Sequence, residues 1–557
     1  MLPFRSRENA DIEYGDFLPG ARLAREGLQV KHPVVLIPGI VSTGLEVWNT
    51  APETKFFRKR MWGTLDQIKA LLLNKDCWMQ HMMLDENGKD PVGVKLRAAQ
   101  GLDSADFLFP GFWVWAKIIA NLGSIGYDSN NMHLAAYDWR LSFKNLELRD
   151  LYFTKLKSTI EIAYKHAIMN GGDENAAKVM IASHSMGSTV FLYFINWIRA
   201  QHGDEWNAKY LAGWINIAGT LLGVPKAAAT LLSGEMRDTA QLNAAATSLL
   251  DYFFSREQRV KLFRSWGGMA SMLPYGGEAL WGNAFSFAPD ELHSDKPSFG
   301  AMVDVGSSPT DSRTSDSKSS KPKFHLTASN MTAFIDHHSK DGTELYWSDD
   351  YSYGIAKTKE QLQDSKKDSR AWTNPLLTPL PKFGKNFKIV CLYGTGLQTE
   401  RKYFYKLETP SDGTRSNNDT FPEEGNADMH IDQSQSDAAS NTVYGVQTTD
   451  GDGTVPLLSL GYMCQHGWKQ KRYNPEGVTV ITRETREDPS RRSGILNSLP
   501  KVRGGPDSPD HVDILGNYEL TEDILRLVSG QDENVVDRIY SEIDKISERV
   551  VLPPHLD

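Results

Sequence analysis

The sequence predicts an α/β chain whose central sheet is mostly parallel and covered by helices on both faces, and three observations carry that prediction. Short apolar runs rich in β-branched residues are bounded by Gly and Pro. Amphipathic helical patterns alternate with them. Finally, Ser183-His184-Ser185-Met186-Gly187 stands where one such run passes into a long apolar helix. Strands buried on both faces read as continuous apolar runs, and each return to a parallel neighbour needs a crossover, usually a helix.

Taken in order, His32–Ile40 reads as a first buried strand running into a loop, and Met132–Tyr137 as a second. Lys178–Ala182, Gly213–Gly219, Phe387–Gly394 and Val478–Ile481 follow as the third to sixth. Helical patterns cover 113–122, 149–168 and 186–201 between them. Two insertions interrupt the alternation. In 54–84, Phe56, Phe57, Trp62, Leu65, Ile68, Leu71 and Leu72 recur at three- and four-residue spacing, as on one side of a helix. The stretch 225–385 is helical and apolar at first (Leu231, Leu232, Leu249, Leu250, Phe253, Phe254), then polar, with a Ser-rich, mobile middle over 306–321. Residues 408–442 and 484–509 read as similar loose segments. The expected organisation is an irregular segment 1–30, a first core part 31–224 with the 54–84 insertion, the insertion 225–385, and a second core part 386–557.

Composition narrows the function classes. The chain has 557 residues, 40% of them hydrophobic, enough for a large core. A formal charge of −9 argues against general binding to nucleic acid, which wants a basic surface. No apolar stretch approaches the roughly 20 residues needed to span a bilayer, and Met1–Arg7 lacks the apolar core of a cleavable signal. The chain therefore reads as soluble, or as the globular part of a longer protein. Three cysteines form neither a disulfide-dense scaffold nor a zinc spacing. Two glycosylation sequons, at Asn330 and Asn418, are what chance supplies in this length.

A strand, a tight turn of small residues and a helix are the layout of a nucleophile elbow, which exposes a serine Oγ at the top of a parallel sheet. Ser185 is the expected nucleophile. Gly187 fits the Gly-x-Ser-x-Gly pattern, while Ser183 stands at its first glycine and weakens it by one position. Ser-x-Ser-x-Gly also occurs in plain surface turns, so the partners decide. Asp452, in Thr449–Pro456, lies on a sharp loop after the fifth strand and is the preferred acid, with Asp450 the alternative. A plain Asp-Gly turn competes with both; a calcium loop lacks its full acidic pattern. Among fourteen histidines, His511 sits on a loop before the last helical pattern, where it can swing over the sheet edge. Ser185, Asp452, His511 is the nucleophile, acid, histidine order of α/β-hydrolases, so that fold is expected. His511 would take the hydroxyl proton, and Asp452 would fix the imidazole tautomer. Two backbone N–H groups would hold the oxyanion, those of Met186 and of Ile40 in the loop after the first strand.

The motifs resemble the lecithin:cholesterol acyltransferase family over roughly residues 30–545, and most closely its phospholipid:diacylglycerol acyltransferase branch. The resemblance rests on His32–Ile40, Phe57–Gly63, Asp76–Trp78, Ala136–Phe143, Ser183–Gly187, Leu222–Lys226, Gly276–Gly282, Gly451–Pro456 and Asp510–Gly516, in that order. It implies transfer of an acyl group from the sn-2 position of a phospholipid to diacylglycerol, by way of Ser185 and without cofactor or metal. Water as acceptor (a phospholipase A or lipase) and a sterol acceptor are the rival readings, and a silent lipid-binding scaffold is a third. The family also implies a lid within 225–385 and a membrane-binding cap at 54–84, with Trp62, Leu65 and Ile68 on its apolar face. Core packing is the competing account of that stripe, and a solvated turn that of the basic Arg58-Lys59-Arg60. Cys391 and Cys464 resemble the two halves of a family disulfide, whereas Cys77 lacks its counterpart around 50–56 and is expected free. The branch faces the lumen of the endoplasmic reticulum behind a membrane anchor, so a lumenal, membrane-associated location is expected.

Overall fold

A computed structural model describes residues 19–49, 56–64, 67, 74–109, 112–240, 254–293, 296, 298–306, 324–337, 345–407, 429–487 and 505–554. The chain enters its core through β1 (Val34–Ile37), four aliphatic residues with no exposure, as a strand covered on both faces requires. A small antiparallel sheet of β2 (Leu45–Val47), β3 (Arg60–Trp62) and β4 (Leu96–Ala98) then builds the cap, with α1 (Lys75–Met82) against it. The core resumes with α2 (Ala116–Ser124), β5 (Met132–Leu134), α3 (Tyr152–Met169), β6 (Val179–His184), α4 (Met186–His202), β7 (Leu211–Ile217) and α5 (Pro225–Ser233). After it come β8 (Val303–Gly306), β9 (Phe324–Leu326), β10 (Lys388–Thr395), β11 (Leu397–Leu407), β12 (Met429–Ile431), β13 (Thr442–Val443) and β14 (Val446–Gly451). Then follow α6 (Leu457–Gln465), β15 (Thr479–Arg486) and α7 (Tyr518–Val528), with a short helix Ile543–Glu548 last.

The central sheet runs β15-β10-β7-β6-β1-β5 with every pairing parallel. From β6 the chain moves outward through β7, β10 and β15, whereas β1 and β5 lie on the other side. The order therefore reverses between β1 and β6. In open parallel sheets such a reversal leaves a crevice at the carboxyl ends of the two strands, where ligands bind. A second sheet, β9-β8-β11-β14-β13 with β12 on β11, draws strands from both 225–385 and 386–557. The insertion and the late core thus share one hydrogen-bonded layer.

All six core strands lie where the apolar runs put them. The sixth is longer than its apolar signal, since Arg483, Glu484 and Thr485 continue the pairing with β10. The cap corrects the expectation of a helix that includes Trp62. Trp62 and Arg60 pair with Leu45 and Glu46, and Met61 is buried between two half-buried neighbours, a two-residue period rather than a helical one. Leu65, Ile68, Leu71, Leu72 and the Ser-rich stretch from 307 lie outside the described residues. Cys391 in β10 and Cys464 in α6 form a disulfide, and Cys77 keeps its thiol, outside any disulfide among the described residues.

Candidate active site

Ser185 stands between β6 and α4 at φ 55° and ψ −128°, a backbone region that a non-glycine residue occupies only when its surroundings hold it there. The turn is tight because a Cβ on Gly187 would lie 2.5 Å from the Ile37 carbonyl oxygen. Ser183 fills the place of the missing glycine with a function of its own. Its Oγ accepts from the Trp214 indole at 2.8 Å and bonds Ser188 Oγ at 2.9 Å, so its hydroxyl is satisfied in a fully buried position.

The loop before α7 brings His511 Nε2 to 2.9 Å from Ser185 Oγ, and its Nδ1 to 2.6 Å from Asp452 Oδ2. The other oxygen of Asp452 accepts from the backbone N–H groups of Thr454 at 3.0 Å and Val455 at 2.7 Å. The carboxylate therefore stays acceptor-only, and His511 keeps its proton on Nδ1 with Nε2 free to receive the serine proton. Burial alone would lower the His511 pKa. The Asp452 charge and hydrogen bond, with help from Asp510, nevertheless hold it above the ordinary histidine value. Asp450, the alternative acid, is turned away: it accepts from Gly396 N–H at 2.6 Å and Thr395 Oγ at 3.0 Å.

Two further residues bear on His511, and although both lie inside motifs the sequence singles out, neither is assigned a role there. His184 Nε2 donates to the carbonyl of His511 at 2.8 Å, since a carbonyl can only accept. Burial, and then the neighbouring His511 charge, push its pKa down to about 3, so it is a neutral anchor for the histidine loop. Lys226, at the start of α5, lies 3.3 Å from Glu400 Oε1 and 3.5 Å from Asp238 Oδ2. Burial opposes its charge, but these two carboxylates hold its pKa above the ordinary lysine value.

Met186 is the first residue of α4, so its N–H has no acceptor within the helix and faces the crevice end. Across the strand reversal, a Cβ on Gly39 would lie 2.9 Å from Ser185 Cβ, which puts the loop carrying Ile40 directly beside the serine. Among the described residues no group of side chains could hold a metal ion.

Residues 56–518 match the lecithin:cholesterol acyltransferase family. The chain belongs to that family. Its relatives include the phospholipid:diacylglycerol acyltransferase of Schizosaccharomyces pombe, 40% identical over 96% of this chain and 78% of that protein. The Saccharomyces cerevisiae enzyme of the same name is 38% identical over 97% of this chain and 76% of its own. Phospholipid:diacylglycerol acyltransferase 1 of Arabidopsis thaliana is 35% identical over 96% and 86%. Within the family frame, sheet order and elbow together make this an α/β-hydrolase fold carrying acyltransferase chemistry.

Proposed function

We propose that this chain moves a fatty acyl group from the sn-2 position of a phospholipid to diacylglycerol through an ester on Ser185. The observation that carries the reading is the unbroken line Ser185 Oγ, His511, Asp452, with contacts of 2.9 Å and 2.6 Å, set where the strand order reverses. His511 Nε2 accepts the proton as Ser185 Oγ attacks the ester carbonyl. The N–H groups of Met186 and Ile40 receive the oxyanion, each supplying about a hundredfold to a thousandfold in rate. Collapse breaks the ester bond, and His511 returns the proton to the departing lysophospholipid oxygen. Diacylglycerol then gives its hydroxyl proton to His511 and attacks the acyl-serine; the bond to Ser185 Oγ breaks, His511 returns the proton to that oxygen, and triacylglycerol leaves.

The membrane is the source of both substrates, and the cap is the surface offered to it. Trp48 and Phe57, 39% and 44% exposed, pack edge-to-face at the rim of the cap with the Arg58 guanidinium over the Trp48 ring. An aromatic pair beside a cation suits the boundary between acyl chains and headgroups. No helix among the described residues is long and apolar enough to cross a bilayer. The disulfide suits an oxidising compartment, consistent with the lumen of the endoplasmic reticulum.

The deciding experiment supplies phosphatidylcholine labelled in its sn-2 chain together with diacylglycerol in vesicles. Label should appear in triacylglycerol and vanish in the Ser185→Ala variant. Label released only as free fatty acid, whatever the diacylglycerol content, would make the protein a phospholipase instead.

A further inference from the structure

The loop that follows β1 is held by three aromatic donors, one from an unexpected place. Tyr137 Oη donates to the carbonyl of Pro38 at 2.8 Å, and the Trp139 indole to that of Thr43 at 3.0 Å. Both are buried residues of the segment after β5, hence part of the rigid core. Between them the carbonyl of Val41 accepts from the Trp62 indole at 2.6 Å, and Trp62 belongs to β3 of the cap. The Trp62 and Trp139 rings meet edge-to-face at 5.2 Å, so the cap indole is aimed by the core one.

Val41 is where such a clamp is needed. Its φ is 56°, in the left-handed region that a β-branched residue avoids. Relaxing it to a negative φ would turn the peptide units on either side of Val41. Those units join Val41 to Ile40 and to Ser42; the Ile40 N–H lies in the next unit, Gly39–Ile40, and a Cβ on Gly39 would stand 2.9 Å from Ser185 Cβ.

We infer that Trp62 is a positioning residue for the oxyanion loop. Its indole N–H locks Val41 in the left-handed conformation and thereby sets the Ile40 N–H toward the developing oxyanion. The inference rests on the acyl-serine reading above. It assigns Trp62 to the chemical step rather than to the membrane face of the cap, and it makes a docked cap a condition for a formed oxyanion hole.

The test uses the full chain and a water-soluble p-nitrophenyl butyrate, so that chemistry and membrane contact are read apart. Trp62→Phe keeps a ring against Trp139 and removes only the donor. Its nitrophenol burst should slow by about tenfold to a hundredfold, less than or equal to the loss of one oxyanion donor. KM and sedimentation with phosphatidylcholine vesicles should stay at the wild-type level. Adding Val41→Gly should restore part of the rate, because glycine takes a positive φ without a clamp. A Trp62→Phe burst at the wild-type rate, a loss confined to vesicle binding, or no recovery in the double variant would each overturn the inference. If Trp62→Phe does not fold, benzothienylalanine at position 62 decides the matter, having the same shape and no N–H. A burst that survives Ser185→Ala would instead count against the acyl-serine reading and leave Trp62 aside.

Discussion

Asp452 is fully buried, and its carboxylate is shared between one imidazole and two backbone N–H groups of its own loop. Asp450, two residues earlier, instead accepts from Thr395 at the end of β10 and from Gly396 in the turn to β11. Asp452→Asn should therefore reverse the His511 tautomer and lower the acylation rate by about 10⁴-fold, while Asp450→Asn stays within tenfold. Comparable losses in both variants would refute this division of roles. The sequence order made Ser185, Asp452 and His511 legible, but not His184 or Lys226, which depend on contacts between distant loops. The pH profile separates the two adjacent histidines. His511 is held above the ordinary histidine value and must be neutral to act, so kcat/KM should rise through a midpoint above about 6.5. His184, near 3, adds no second limb in the neutral range. The raised value also stabilises the fold at pH below the unfolded histidine's, and that contribution fades as pH climbs through the folded one. A rate midpoint below 6 would contradict the Asp452 pairing.

At the scale of elements, the core strands were readable because burial on both faces leaves an uninterrupted apolar run. The cap was not. Its apolar residues recur at three- and four-residue spacing, yet pairing with β2 fixes Arg60–Trp62 as a strand, an outcome of a partner that local periodicity does not reveal. The elbow shows the opposite case, in which a departure from the general pattern is explained by packing. Ser183 replaces a glycine and accepts a hydrogen bond from the Trp214 indole on the neighbouring strand β7. Ser183→Ala should leave that buried N–H without an acceptor and destabilise the protein by about 1–3 kcal/mol, with the Ser185 acylation rate nearly unchanged. Urea denaturation together with a burst assay would check both halves. A stable but inactive variant would mean that Ser183 acts on the nucleophile rather than on the sheet.

Across the whole molecule, the cap must keep its place on the core if Trp62 is to reach Val41, and a buried ion network provides the attachment. Arg140, with no exposure, donates to both oxygens of Asp138 at 2.9 Å and 2.7 Å, and to the carbonyls of His81 and Met82 at 3.0 Å and 3.3 Å. Those carbonyls end α1 of the cap. Arg149 joins Asp138 at 2.7 Å to Asp90 at 3.2 Å, and Asp90 pairs with Arg97 as well. Burial would raise the Asp138 pKa, but Arg140 and Arg149 together hold the carboxyl below the usual carboxylate range. Asp150, 2.8 Å from Arg149 and 3.5 Å from Arg97, brings the carboxylates to three against three guanidiniums, and such local matching is the condition for keeping charges out of water. Arg140→Met fills similar space yet takes the guanidinium donor from the His81 carbonyl and leaves the buried Asp138 carboxylate with Arg149 as its one remaining guanidinium partner among the described residues. It should lower stability by about 3–5 kcal/mol. It should also make the chain between α1 and β4 cleavable by trypsin under native conditions, before the core unfolds. The same variant should slow the p-nitrophenyl butyrate burst, because a loosened cap withdraws Trp62 from the loop beside Ser185. Destabilisation with an unchanged burst would separate the cap from the chemistry and leave the network a purely structural tie.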